Sequence, residues 1–211
     1  IDMTGVEWTA INAENYTNTV LGNGYAIKGL TAPLFNTVAA SIKGLHLEDV
    51  NIVSNGVMQM GALACTLTAK EGFAPKVENC SVSGTFTVKN PEAKTTADSY
   101  SFRYAGIAGC TNSIAIDNCV NNINFTVEQV VATANDGATQ EANVCVGGIA
   151  GCGYKTTTEF SNITNCVNNG TITFSDTVLS ETNKARAWVA GVVASVNSSN
   201  DGVNLSGNTN N

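Results

Sequence analysis

Three stretches of the chain alternate apolar and polar residues with a period of two. Phe86, Phe125 and Ile172 are followed two residues on by Val88, Val127 and Phe174, and the residue between is always threonine: Thr87, Thr126 and Thr173. Apolar residues one way and threonine the other make the pattern of a β-strand with one face in a core and one in water. No window carries a 3.6-residue stripe with caps over three turns, so the pattern predicts an all-β chain with almost no helix.

These stretches belong to a repeat. Gly61-Ala-Leu-Ala-Cys65 returns as Gly-Ile-Ala-Gly-Cys at Gly106 and Gly148, then as Gly-Val-Val-Ala-Ser at Gly191, at intervals of 45, 42 and 43 residues. A second phrase follows each copy: Val77-Glu-Asn-Cys80, Ile116-Asp-Asn-Cys119, Ile163-Thr-Asn-Cys166 and Leu205-Ser-Gly-Asn208. Self-similarity at this period predicts stacked units sharing one core. Each unit reads as three short strands, a Gly-rich apolar one, the Ile-x-Asn-Cys one and the Thr/Phe one. Asn and Gly lie at the corners, where left-handed backbone is needed.

In-register parallel stacking would place Cys80, Cys119 and Cys166 in one column and Cys65, Cys110, Cys152 and Ser195 in another. Such crossovers are right-handed. The predicted architecture is therefore a right-handed parallel β-helix of about four to five coils, with loop inserts at one corner. Residues 31–211 form this solenoid, with 33–36 and 42–45 as a worn copy of the first two strands and Leu45 where the cysteines stand. Residues 1–30 form an N-terminal cap carrying Trp8 and a further strand pair within 20–30. Asn210 and Asn211 match Asn168 and Asn169, so the natural protein is expected to continue into further repeats.

The phrases Asn23-Gly-Tyr-Ala-Ile-Lys-Gly-Leu30, Ser41-Ile-Lys-Gly-Leu45 and Gly147-Gly-Ile-Ala-Gly151, with Ile163-Thr-Asn-Cys-Val-Asn-Asn-Gly170, resemble the GLUG-type repeats of bacterial surface proteins over about residues 20 to 211. Such repeats occur in adhesin-like proteins of gut Bacteroidetes and beside the catalytic parts of some immunoglobulin A proteases. The resemblance implies a parallel β-helix outside the cell, at the bacterial surface, with its export signal or lipoprotein anchor removed.

Charge removes several partners from consideration. The net charge is −7 and only 13% of residues are charged, so phosphate backbones and anionic lipid are repelled and nucleic acid is excluded as a partner. No apolar run approaches the roughly 20 residues of a membrane-spanning helix, so direct membrane insertion is not expected.

Seven cysteines leave at least one unpaired within the molecule. The aligned sets read as inward small hydrophobes, with one or two disulfides as the alternative, and Cys145 lies outside both columns as a candidate reactive thiol or a buried strand residue. Neither Cys-x-x-Cys pairs nor matched histidines are present, and His46 is the single histidine, so no metal or cofactor is expected. The same scarcity leaves no Ser-His-Asp or Cys-His arrangement, since the alternation at Leu45-His-Leu47 turns His46 to solvent. Glu78 and Asp117 occupy matching positions and read as a surface ladder. The segment 197–202 has the look of a calcium loop but lacks its closing glutamate.

The units disagree in their inserts, 89–101, 128–143 and 175–185, which hold Lys94, Asp98, Asp136, Glu141, Glu181 and Lys184. All three should emerge at one corner and form a ridge, the usual place for recognition on a rigid scaffold, although plain decoration is the alternative. Tyr100, Phe102 and Tyr104 alternate just beyond the first insert, either as a sugar-stacking face or as an additional edge strand. The functional expectation is a non-enzymatic, extracellular adhesion or binding module recognising a host protein or glycan, with Lys94, Asp98, Tyr100, Tyr104, Asp136, Glu141, Glu181 and Lys184 as its ridge. A carbohydrate-active β-helix enzyme is the alternative.

Overall fold

The structure is a computed structural model of the whole chain and describes residues 1–89, 100–131, 141–154, 159–178, 184–196 and 202–211. Among the described residues the regular structure is entirely β, and every pairing between strands is parallel. The strands form four sheets that the chain visits in a fixed order. Sheet 1 contains Ile11–Ala13, Phe35–Val38, Ala64–Thr68, Ala108–Asn112, Ala150–Tyr154 and Val193–Val196. Sheet 2 contains Val20–Leu21, Ile42–Lys43, Lys76–Glu78, Ala115–Asp117, Ser161–Thr164 and Val203–Ser206. Sheet 3 contains Ala26–Lys28, His46–Asn55, Ser81–Lys89 and Val120–Val131. It goes on through Val167–Asn168 and Ile172–Val178, which both pair Val120–Val131, to Thr209–Asn210. Sheet 4 contains Gln59–Gly61, Tyr100–Ala105, Glu141–Gly147 and Lys184–Ala190.

The parallel, helix-free, solenoid-like expectation therefore holds, but with a fourth strand per repeat. That strand begins with the Tyr100, Phe102, Tyr104 alternation. Phe102 and Tyr104 are buried, and the Tyr104 ring meets Phe86 edge-on at 5.8 Å, while Phe86 stacks on Phe125 at 5.2 Å. The alternation thus buries rings rather than presenting them to a ligand. The inserts are also shorter than expected, because the sheet 3 strands run on to Val131 and Val178 and the next strands start at Glu141 and Lys184.

Vertical register repeats residue types as predicted throughout one column and, in the other, from Cys110 to Ser195 but not at Cys65. Ser81 pairs Val120, which pairs Val167, so Cys80, Cys119 and Cys166 stand one above another. Each thiol donates to the carbonyl two residues before it, at 3.3–3.4 Å, and reaches the carbonyl of the turn below at 3.8 Å. In sheet 1, Cys110 pairs Cys152 and Cys152 pairs Ser195, but Cys110 faces Thr66, not Cys65. Gly61 lies beside Ala105, which sets Leu63 level with the equally buried Ile107. The branched core residue fixes the register, and the glycines of the two phrases are one position out of step.

The Gly and Asn of the two repeat phrases prove to be partners. Asn121 is fully buried and donates to Asn168 Oδ1 at 2.7 Å, and Asn168 donates to Asn210 Oδ1 at 2.7 Å. A Cβ on Gly106, Gly148 or Gly191 would collide with the amide of Asn121, Asn168 or Asn210 respectively. One turn earlier, Val82 stands in the asparagine position. Buried amides that satisfy one another are tolerated where a lone one would be costly. The corners before the Cys column use left-handed backbone at Asn79, Asn118 and Asn165, with φ of 54, 51 and 54°.

The first turns follow the sequence reading. Phe35 pairs Ala64, Ile42 pairs Val77, and Ala26 pairs His46. Leu45 is buried in the core, and Trp8 Nε1 donates to the Pro33 carbonyl at 3.0 Å. On sheet 2, Glu78 and Asp117 are neighbours in register and share Lys76, at 2.9 and 3.1 Å, while Lys43 reaches Glu78 at 2.9 Å. Hydrogen bonds from Thr164, Lys76 and Asn165 hold the Asp117 carboxyl below the usual aspartate range, and Lys43 and Lys76 do the same for Glu78.

Four outcomes are expected. Phe125→Ala removes a ring from a stack that collapses poorly and should cost about 3–5 kcal/mol in urea denaturation, whereas Gly148→Ala should destabilise by roughly 1–3 kcal/mol through overpacking onto Asn168. Carboxyls depressed in the folded state contribute stability that is complete above their unfolded values, about 3.9 for Asp and 4.3 for Glu, and is lost as pH falls through the folded values. The urea midpoint should accordingly fall below about pH 4, and Asp117→Asn should flatten that fall.

Candidate functional site

Sheets 4 and 1 meet at a sharp bend, and their outward faces turn toward each other across it. The bend is tight enough that a Cβ on Gly109 would meet the Met60 backbone at 2.5 Å and one on Gly151 would meet the Tyr104 nitrogen at 2.9 Å. Alternation decides which side chains enter. In sheet 4, Phe102, Tyr104, Val144 and Val146 belong to the core, so the row between them, Gln59, Arg103, Cys145 and Trp188, points the other way. Facing it across the bend is the sheet 1 row Thr66, Cys110, Cys152 and Ser195.

The two rows touch. Gln59 Nε2 donates to Thr66 Oγ1 at 2.6 Å, and the Arg103 guanidinium lies over the Tyr154 ring at 5.2 Å. Cys110 and Cys152 bring their sulfurs to 2.8 Å, and Cys145 is buried beside them. The contact with Cys152 and burial push the Cys110 thiol well above the ordinary cysteine value, and burial raises Cys145. Arg103 opposes both shifts. Arg103 Nε and Asn112 Oδ1 are buried without a hydrogen-bond partner among the described residues. Trp188 ends the row half-exposed, at 40%. The result is a furrow with a cation, an amide and an indole along it and a thiol cluster at its floor.

The expected ridge is only partly brought together. Tyr100, Glu141 and Lys184 each begin a strand of sheet 4, with Tyr100 beside Ala142 and Glu141 beside Lys184. Lys94, Asp98, Asp136 and Glu181 lie outside the described residues, as do 197–201 of the loop that resembles a calcium site. Tyr104 is not a ridge residue. It is fully buried and donates through its hydroxyl to the Val57 carbonyl at 2.8 Å, and burial raises that hydroxyl to about 12. His46, expected in solvent, is half-buried, and its Nδ1 lies 2.7 Å from Ser81 Oγ. The furrow residues Gln59, Arg103, Tyr154 and Trp188 escaped the sequence reading. The signal was present in the polar positions alternating with Phe102, Tyr104, Val144 and Val146, but it becomes legible only once a fourth strand is recognised.

Residues 10–84 match the family model for the N-terminal region of the M26 IgA1-specific metallo-endopeptidases. No curated protein matches the chain. A crystal structure provisionally described as an immunoglobulin A1 protease from Bacteroides ovatus superimposes with a TM-score of 0.41 and 13% identity, covering 90% of this chain and 75% of that one. The family match overturns the reading as a non-enzymatic adhesion module, and with it the carbohydrate-active alternative, because it relates the chain to endopeptidases. A peptidase metal does not fit the described residues. His46 is the one histidine, and among the described residues no group of three His, Cys, Asp or Glu side chains is arranged to hold a metal ion.

Proposed function

We propose that this chain is protease-related: a substrate-engaging β-scaffold in a protein of the immunoglobulin A1 endopeptidase type, with immunoglobulin A1 as the protein it engages. The observation that carries this reading is the match of residues 10–84 to the N-terminal region of the IgA1-specific metallo-endopeptidases. The resemblance of the repeats to GLUG-type units supports the same placement, as does a composition that leaves Asn, Thr and Ser to solvate the outer faces. The compartment proposed is extracellular, where that immunoglobulin occurs. The four sheets are proposed to close into a right-handed parallel β-helix, since the chain visits them in one fixed order and parallel crossovers take that hand.

The furrow between sheets 4 and 1 is the proposed contact surface. Arg103, Tyr154 and the Trp188 indole supply the residue types that dominate protein recognition, fixed on rigid strands. The ridge beginning at Tyr100, Glu141 and Lys184 is proposed as its border, since the same strands carry both.

Immunoglobulin A1 passed over the immobilised chain should be retained above an immunoglobulin G control, and any heavy-chain fragments should appear with immunoglobulin A1 only. Trp188→Ala should weaken retention roughly 30-fold while leaving the thermal midpoint unchanged, as for an interface anchor. A chain that neither retains nor cleaves immunoglobulin A1 in preference to immunoglobulin G overturns the reading. Undiminished retention by the Trp188 variant moves the contact off the furrow.

A further inference from the structure

We propose that Cys110 and Cys152 are a disulfide-forming pair that staples two successive turns of the stack at the floor of the furrow, by exchange with a low-molecular-weight disulfide. The pair is in direct register on adjacent parallel strands, flanked by the pairs Ala108 with Ala150 and Thr111 with Gly153. Neighbouring strands lie about 4.8 Å apart, inside the 4.4–6.8 Å range of Cα separations that disulfides span. The sulfurs already approach to 2.8 Å, closer than two unbonded sulfurs settle by packing alone, and both residues are buried. The Cys80, Cys119, Cys166 column is different. There each thiol is turned to carbonyls at 3.3–3.8 Å.

Burial sets when the exchange takes place. Thiolate is the attacking species, and in the folded chain the contact with Cys152 and burial hold the Cys110 thiol protonated, with Arg103 opposing them only in part. In the first step one thiolate of the pair attacks a sulfur of the small disulfide, forming a mixed disulfide and expelling one small thiolate, which takes up a proton. In the second step the other thiolate attacks the protein sulfur of the mixed disulfide, breaking that bond and expelling the second small thiolate. Two protein thiols are oxidised to one disulfide, and one small disulfide is reduced to two thiols. Because both sulfurs are buried, the exchange belongs to folding, before sheet 1 closes over them. The bridge joins positions 42 residues apart. It locks the turn that carries Arg103 to the turn that carries Cys145 and Tyr154.

The test is refolding of the whole chain from reductant and denaturant into a buffer of reduced and oxidised glutathione, followed by unfolding, alkylation and peptide mapping. The expected result is five alkylated cysteines, a product lighter by two hydrogens, and a linked peptide joining Cys110 to Cys152. The thermal midpoint should rise on oxidation and return with dithiothreitol. Cys110→Ser and Cys152→Ser should each abolish the linked product, while Cys145→Ser should keep it. The Cys145 variant stays informative even if the other two fold poorly. Seven alkylated cysteines at every glutathione ratio overturn the proposal, as does a bridge mapped to Cys119 with Cys80 or Cys166.

Discussion

Everything in this chain depends on in-register parallel stacking, in which the neighbour of a residue in space is its counterpart one repeat away in sequence. Backbone hydrogen bonds impose the roughly 4.8 Å spacing, and at that distance any side chain must tolerate its own copy directly above it. That demand selects what the columns contain. Apolar side chains pack on apolar ones inside, as Phe86 does on Phe125. Amides chain to amides, as Asn121, Asn168 and Asn210 do. The stacked carboxylates Glu78 and Asp117 share the ammonium of Lys76.

The same demand explains how a chain with few charged residues keeps defined faces. On the outer surface, Asn122, Asn169 and Asn211 form a second amide column, with Asn169 donating to Asn122 at 2.8 Å and Asn211 to Asn169 at 2.7 Å. Such columns hold water at the surface and fix the vertical register at the same time. The furrow departs from this economy. Its two rows belong to different sheets and mix a guanidinium, an amide, thiols and rings, so no column rule dictates them. A scaffold of this kind is free to vary chemistry there without disturbing the stack.

Much of the fold was legible from Thr87, Thr126 and Thr173 and their apolar flanks, since period-two alternation and a repeat near 43 residues leave few architectures open. The Cys80 column was legible for the same reason. Cys65 was misplaced because matching glycines is weaker evidence of register than matching the buried Leu63 and Ile107. The strand at Tyr100 to Tyr104 was legible only as one of two alternatives, because it follows an insert and its aromatic rings read as well for a sugar-stacking face as for an additional edge strand. The furrow was illegible for a deeper reason. It is made where two sheets fold toward each other, and although alternation marks which side chains of each strand point outward, it does not show that the two outward rows meet across a bend. The protease relationship was not legible from chemistry at all, because the region matched carries no catalytic signature of its own.

The glycine and asparagine partnership has a genetic consequence. Each of the last three turns carries both halves of the fit, a notch at Gly106, Gly148 or Gly191 and an amide that fills it, so no contact among them counts the turns. Adding or deleting one of these units would make a new seam that reproduces a seam already present. Such a rod changes length in graduations of roughly 4.8 Å, like the marks on a ruler. Lineages could therefore adjust how far the scaffold reaches without redesigning any part of it.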